Sequence, residues 1–416
     1  MTPPNLFSPL MLPNGAELPN RLCKAAMEEN LAEPGQVPGN RLTTLYQRWA
    51  DGGVGLILTG NVMIDPGAVT GPGGVVLEHG SDLAPFRKWA EAGRSGGGHI
   101  WMQINHPGRQ LYAALGEQAV AASPIGVDLG KYSKMMAVPR ALEDAEILEI
   151  IDRFATTAAL AEQAGFTGVQ VHAAHGYLIN QFLSPLTNTR TDRWGGTPEN
   201  RARFLYETVK AVRARVSPEF CVSVKLNSAD FQKGGFQLED AKEVTKVLNT
   251  LGLDLLELSG GSYESPAMYG QTDDSSTSRR EAFFVDFARD IATVAEMPIM
   301  VTGGIYRKST AVDALAKDEA GFGVDVLGIA KALAQVPDLP NQWRQEGSLE
   351  VEAPRVEWKN KTMAGVAISA IARRHLVRMA NGKKAGARLS PMISLAWDRM
   401  RAKRLTKRYK AWRAKR

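Results

Sequence analysis

Residues 172–177, within VHAAHGY, place two imidazoles and a phenol together: His172, His175 and Tyr177. Imidazoles hold a developing oxyanion by hydrogen bonding, and a phenol can give up a proton. The four residues before them, Gly168-Val169-Gln170-Val171, read as a buried strand. All three side chains therefore leave one strand end. A His-x-x-His pair is also a metal pattern, but helical zinc pairs sit four apart with further ligands nearby. This pair is three apart and leaves a strand, which predicts no metal. The plainer alternative is a polar loop that satisfies its own backbone. It gives no reason for three committed polar groups at one strand end.

The elements that must position this group recur through residues 1–345. Short apolar runs predict strands at 22–27, 54–59, 99–104, 168–171, 221–226, 253–258, 299–302 and 325–329. Amphipathic stretches lie between most of them. The clearest covers 141–164, where Ile147, Ile150, Ile151, Phe154 and Leu160 recur at helical spacing before Gly165. Residues 200–215 and 239–251 repeat the pattern. Eight strand–helix units predict an α/β fold, a single (β/α)8 TIM barrel, whose active site lies at the C-terminal strand ends. Polar and glycine residues fall there: Ala26-Met27-Glu28, Gly60-Asn61, Gln103 with His106 to Arg109, the 172–177 group, Lys225 with Asn227, Ser259 to Gly261, Gly303-Gly304 and Ala330-Lys331. Two inserts, 106–141 and 260–281, are long enough to be lids or binding loops and are expected to wall the pocket.

Composition narrows the setting. Of 416 residues, 44% are hydrophobic and 23% charged, as in ordinary globular chains. Two cysteines, Cys23 and Cys221, exclude a disulfide framework and a four-cysteine iron–sulfur cluster. The N-terminal residues lack the basic start and apolar core of a signal peptide, and no apolar run approaches the ~18 residues of a membrane helix. A reducing cytoplasm is the expected location.

The net charge of +6 is unevenly spread. Residues 373–416 carry 16 Lys and Arg against one acid, Asp398, on an otherwise acidic chain. Residues 346–416 therefore read as a linker and a basic helical C-terminal extension, with Trp397, Tyr409 and Trp412 among the charges. Three targets suit such a tail: the anionic inner face of a membrane, nucleic acid, or the barrel's own acidic surface.

A longer pattern surrounds the histidines. His172, His175, Gly176, Tyr177 and Leu178 are followed by Phe182, Leu183 and Pro185, then by Asn188, Arg190, Asp192, Trp194, Gly195 and Gly196. This stretch resembles the signature of the Old Yellow Enzyme family, the FMN-dependent ene-reductases and NADH:flavin oxidoreductases. Further similarity covers roughly residues 5–340.

The resemblance implies noncovalent FMN, with NADH or NADPH as reductant. Hydride would pass through FMN to an electron-poor alkene, a small-molecule partner. His172 and His175 would hold the substrate oxygen, and Tyr177 would protonate the α-carbon. It also implies cofactor contacts from Ala26, Met27, Gly60, Gln103 and Lys225. Gly303 and Gly304 supply a phosphate turn of the kind barrels form after strand seven. Ala330-Lys331 stands where the family has Gly-Arg, so a point charge replaces a bidentate fork. Glu28 stands where the family has Thr or Cys. Lys225, in CVSVKLN, needs a counter-charge on a buried strand, and the resemblance assigns that role to the flavin. Two alternatives belong beside this reading: an FMN barrel that oxidises or demethylates a small amine, and a flavin module recruited by its tail. A homo-oligomer is compatible with all of them.

Overall fold

A computed structural model describes residues 5–265, 284–345, 350–353, 355–359, 361–386 and 388–416. Eight parallel strands form its centre: β1 Leu22–Lys24, β2 Leu56–Leu58, β3 His99–Asn105, β4 Gly168–Ala173, β5 Cys221–Asn227, β6 Leu255–Ser259, β7 Ile299–Thr302 and β8 Val326–Ile329. Each pairs with the next, and β8 pairs with β1, so the sheet closes into the expected (β/α)8 barrel. The strand after each crossover lies parallel to the one before because a helix intervenes. These helices are α1 Asn40–Asp51, α2 Ala84–Arg94, α3 Asp144–Gln163, α4 Pro198–Arg215, α5 Leu238–Leu248, α6 Val285–Ala292, α7 Lys308–Leu315 and α8 Lys331–Gln335. The first strand is shorter than its apolar run, because the chain beyond Lys24 leaves the ladder for the barrel mouth.

Alternation along each strand divides two cores. Val169 and Val171 of β4 pack outward with Ile147, Ile150 and Phe154 of α3. A capping box between Glu143 and Glu146 fixes where that helix begins. Inside the barrel lie Cys23, Leu56, Leu58, Trp101, Cys221, Leu255, Met300 and Val326. Leu12 and Leu18, beside the hairpin Leu10–Met11/Glu17–Leu18, join this inner cluster. Both cysteines are buried free thiols there, and burial pushes their pKa values up, that of Cys221 to about 12.

The insert 106–141 walls the mouth and is tied to the start of the second insert. Arg109 pairs with Glu264, and the Glu264 carboxylate also accepts the Asp128 amide at 2.7 Å. The rest of the second insert, from residue 266, lies outside the described residues.

The C-terminal extension packs on the barrel. After α9, Leu339–Arg344, helix α10, Lys361–Ala380, lies against α1 and α8, and α11, Pro391–Arg413, runs back over the loops that follow β1, β2 and β3. Tyr409 is 0% exposed among Met63, Val69, Val76, Leu111 and Leu115, and its hydroxyl donates to the Pro66 carbonyl at 2.7 Å. Arg413 pairs with Glu117 at 2.7 Å. Arg401 donates to the carbonyls of Glu29 and Asn30, and Arg408 to that of Ala32. Of the three targets read from the sequence, the barrel's own surface is therefore engaged. No helix among the described residues is long and apolar enough to cross a membrane.

Candidate active site

The histidine group stands where β4 ends. His172 is still within the strand, beside Lys225 of β5 in register. Its Nδ1 accepts the Ala174 N–H at 3.2 Å. The proton of the neutral ring therefore sits on Nε2, which is left as a donor. Burial above all, then the neighbouring His175 and Lys225 charges, lowers the His172 pKa well below the ordinary value. His175 is lowered likewise by burial and Lys225, so neither ring carries a spare proton at neutral pH.

Tight backbone turns deliver the next residues. His175 has φ 61° and Gly176 φ 75°, both in the left-handed region. A Cβ on Gly176 would lie 2.8 Å from Gln110 Oε1 and 2.9 Å from Ser262 Cβ, which excludes larger residues there. Asn227 Oδ1 accepts the His175 N–H at 3.1 Å and Asn180 Oδ1 the Gly176 N–H at 2.7 Å. Gln110 donates to the His175 carbonyl at 2.9 Å. His175 Nε2 meets Ser259 Oγ at 2.7 Å. Tyr177 then turns its ring edge-on to His172, with centroids 4.9 Å apart.

Residues remote in sequence complete the group. The Tyr177 hydroxyl lies 3.4 Å from Glu28 Oε1 and 3.2 Å from the Tyr263 hydroxyl. Asn61 holds the same Glu28 oxygen at 2.6 Å. Beneath them, Tyr46 links the first two strand ends: its hydroxyl donates to Glu29 at 2.6 Å and accepts the Gly60 N–H at 3.0 Å. Lys24 completes this knot by donating to the Leu58 carbonyl at 2.7 Å. Gly60 admits no side chain, since a Cβ would fall 2.3 Å from the Met27 carbonyl oxygen.

A second buried chain crosses the barrel. Gln103 donates to Gln170 at 2.8 Å, Gln170 to Glu257 at 2.8 Å, and Glu257 pairs with Lys225 at 2.7 Å. The counter-charge that Lys225 needs is thus supplied by the protein. The resemblance assigns that role to the flavin, whereas the pairing partner here is Glu257, which sits in an apolar strand. Tyr263, Gln110 and Gln170 carry no signal in the sequence; only their nearness in space marks them.

Residues 5–350 match the sequence model of the NADH:flavin oxidoreductase / NADH oxidase family. The chain belongs to that family. This flavin oxidoreductase is 35% identical over 389 residues to an NADH-dependent flavin oxidoreductase of Hypocrea jecorina, covering 87% of this chain and 96% of that one. Its fold matches the old yellow enzyme homologue from Zymomonas mobilis with TM-score 0.71 and 26% identity, over 84% of this chain and 95% of that one. Morphinone reductase matches with TM-score 0.69 and 28% identity, over 85% and 92%. The enzyme is an oxidoreductase of the Old Yellow Enzyme type, with FMN as cofactor and NAD(P)H as reductant.

The mouth of this barrel fits such a cofactor. Thr302 Oγ1, at the end of β7, is buried without a partner among the described residues. Gly303 and Gly304 follow it with φ 144° and 68°, positive values that strain any residue carrying a Cβ. Ala330 and Lys331 begin α8 after β8, and burial lowers the Lys331 pKa to about 8, which leaves it charged for a phosphate at neutral pH. Among the described residues, no group of His, Cys, Asp and Glu is placed to hold a metal ion.

Proposed function

We propose that this flavin oxidoreductase is an ene-reductase acting on an alkene activated by a carbonyl or nitro group. The observation that carries the reading is the pairing of His172 and Tyr177. One offers a fixed Nε2–H donor, the other a phenol, and their rings pack together at 4.9 Å. FMN, when bound, supplies hydride transfer from NAD(P)H to the alkene β-carbon. His172 Nε2 holds the substrate oxygen, with His175 beside it, and each such bond contributes about 3 kcal/mol as charge develops. Tyr177 transfers its hydroxyl proton to the α-carbon, a contribution of about 10²–10⁴ in rate.

In this reading Ala26, Met27 and Gly60 line the cofactor ring and Gln103 faces its pyrimidine edge. Lys225 lies beside the position where reduction leaves negative charge. Gly303, Gly304, Ala330 and Lys331 hold the phosphate. Anaerobic reduction by NADH and NADPH, followed by a panel of enones and a methylamine control, tests the assignment. Reoxidation by enones is expected; turnover of the amine alone would overturn it.

A second reading concerns the outward face of α11. Met392, Ile393 and Met400 are exposed there, alongside Lys403, Lys407 and Lys410. Apolar groups next to lysines suit an anionic membrane surface. Flotation with anionic vesicles tests it, comparing the native chain with Lys403→Glu/Lys407→Glu, two exposed positions on α11. Equal flotation of both, or none, removes the membrane reading.

A further inference from the structure

Every second residue of a barrel strand faces the interior. Trp101, Cys221 and Leu255 do so as part of the apolar inner cluster. Gln103, Lys225 and Glu257 follow them at even spacing on the same strands, so they face inward too, nearer the C-terminal mouth. Gln170 lies in register with Gln103, and Lys225 in register with both His172 and Glu257. A polar row thus stands on an apolar floor, beside the first histidine of the site.

Both oxygens of Glu257 are engaged: Oε1 accepts Lys225 Nζ at 2.7 Å and Oε2 accepts Gln170 Nε2 at 2.8 Å. A carboxylate only accepts, so the Gln170 amide must turn its nitrogen to Glu257 and its oxygen to Gln103. Gln103 Nε2 accordingly donates to Gln170 Oε1 at 2.8 Å. One carboxylate therefore fixes the polarity of the row and holds the Lys225 ammonium at one point. The adjoining rings of His172 and His175 are neutral, chiefly through burial. Among the described residues, the balance of charge in this row is thus set by Lys225 and Glu257. Both side chains are buried, so little water screens either.

We propose that Glu257 sets the reduction potential of the bound FMN by cancelling the Lys225 charge on that side of the site. The proposal rests on the reading that Lys225 lies beside the position where reduction leaves negative charge. An unmatched ammonium there favours the reduced form, and its carboxylate partner withdraws most of that preference. The potential is held down, and the reduced cofactor stays a strong hydride donor. Glu257 acts through Lys225 and is a positioning residue, not a catalytic one.

Four forms of the holoenzyme separate charge from structure: native, Glu257→Gln, Lys225→Met and Lys225→Met/Glu257→Gln. The native pair and the double variant are neutral in this row. Glu257→Gln leaves one positive charge and Lys225→Met one negative. Midpoint potentials are measured by equilibration with reference dyes, on the acid side of neutrality so that the unpaired lysine keeps its charge. Glu257→Gln is expected to shift the two-electron equilibrium at least tenfold towards reduced FMN, or about 30 mV upward. Lys225→Met should shift it downward, and the double variant should return close to native. A mere loss of packing would not give the two single variants opposite signs. Two comparisons isolate Glu257: native with Glu257→Gln, and Lys225→Met with the double variant. Should one single variant fail to fold, the other still supplies its comparison. If removing Lys225 moves the potential and removing Glu257 does not, the proposal is overturned while the placement of Lys225 stands. If removing Lys225 moves nothing, that placement is wrong and the proposal falls with it.

Discussion

Lys225 and Glu257 face each other in register across β5 and β6 at 2.7 Å, with side chains 4% and 0% exposed. A buried charge without its partner is costly, whereas removing both charges is far less so. Lys225→Met is therefore expected to cost about 3–5 kcal/mol of stability, and Lys225→Met/Glu257→Gln distinctly less. Denaturant unfolding of the apoprotein measures both. An additive double variant would show that the pair is not coupled.

Tyr177→Phe keeps the ring against His172 and removes only the hydroxyl. It should slow alkene reduction by about 10²–10⁴ while affecting reduction of the flavin by NAD(P)H far less. Stopped-flow measurement of the two half-reactions separates them. His172→Ala should instead weaken the binding of phenols, whose oxygen imitates the held oxyanion.

Lys331 offers a point charge where a phosphate is expected. Lys331→Met should loosen FMN about tenfold, or ~1.4 kcal/mol, and leave the affinity for riboflavin nearly as it was. Titration of the apoprotein with each flavin checks the difference. Equal losses for both would remove Lys331 from the phosphate site.

Acid should destabilise the fold through its buried histidines. His106 has its pKa pushed down to about 4, chiefly by burial, so the folded chain resists a proton that the unfolded chain binds at about 6.5. Its contribution is complete above pH ~6.5 and is lost as pH falls towards 4, up to about 3 kcal/mol. His172 and His175 act in the same direction. Thermal melts across this window should show the loss, reduced by about that amount in His106→Gln.

The tail should behave as part of the barrel. Tyr409→Ala empties a buried site lined by Met63, Val69 and Leu115 and is expected to cost about 3–5 kcal/mol. Arg401→Ala frees the carbonyls of Glu29 and Asn30, next to Glu28. It should raise KM for the alkene several-fold, and an unchanged KM would show that these carbonyls do not position the site. Calorimetry and steady-state kinetics on the same preparations decide both.

Much of the fold is written locally. Strands such as Cys221–Asn227 show as apolar runs, and α3 shows as Ile147, Ile150, Ile151 and Phe154 on one face. Periodicity is a property of neighbours in sequence, so eight strand–helix units can be counted without coordinates. His172, His175 and Tyr177 are legible for the same reason, being three residues within six positions of one strand end. In the sequence Glu28 stands out only as a departure from the family pattern. Its contact with Tyr177, 149 residues away, was not legible, because barrel closure sets which strand ends face each other.

The sequence by itself determined the barrel, the family and the local cluster of two imidazoles and a phenol, since spacing and residue type carry that information. Tertiary structure alone decided the partners of the buried charges. Lys225 could have answered to any anion, and the strand register chose Glu257. The basic tail could have met a membrane, a nucleic acid or the barrel, and a pocket for Tyr409 with carbonyls for Arg401 and Arg408 seated it on the barrel. Charge attracts without direction, so its partner is settled only where packing fixes geometry.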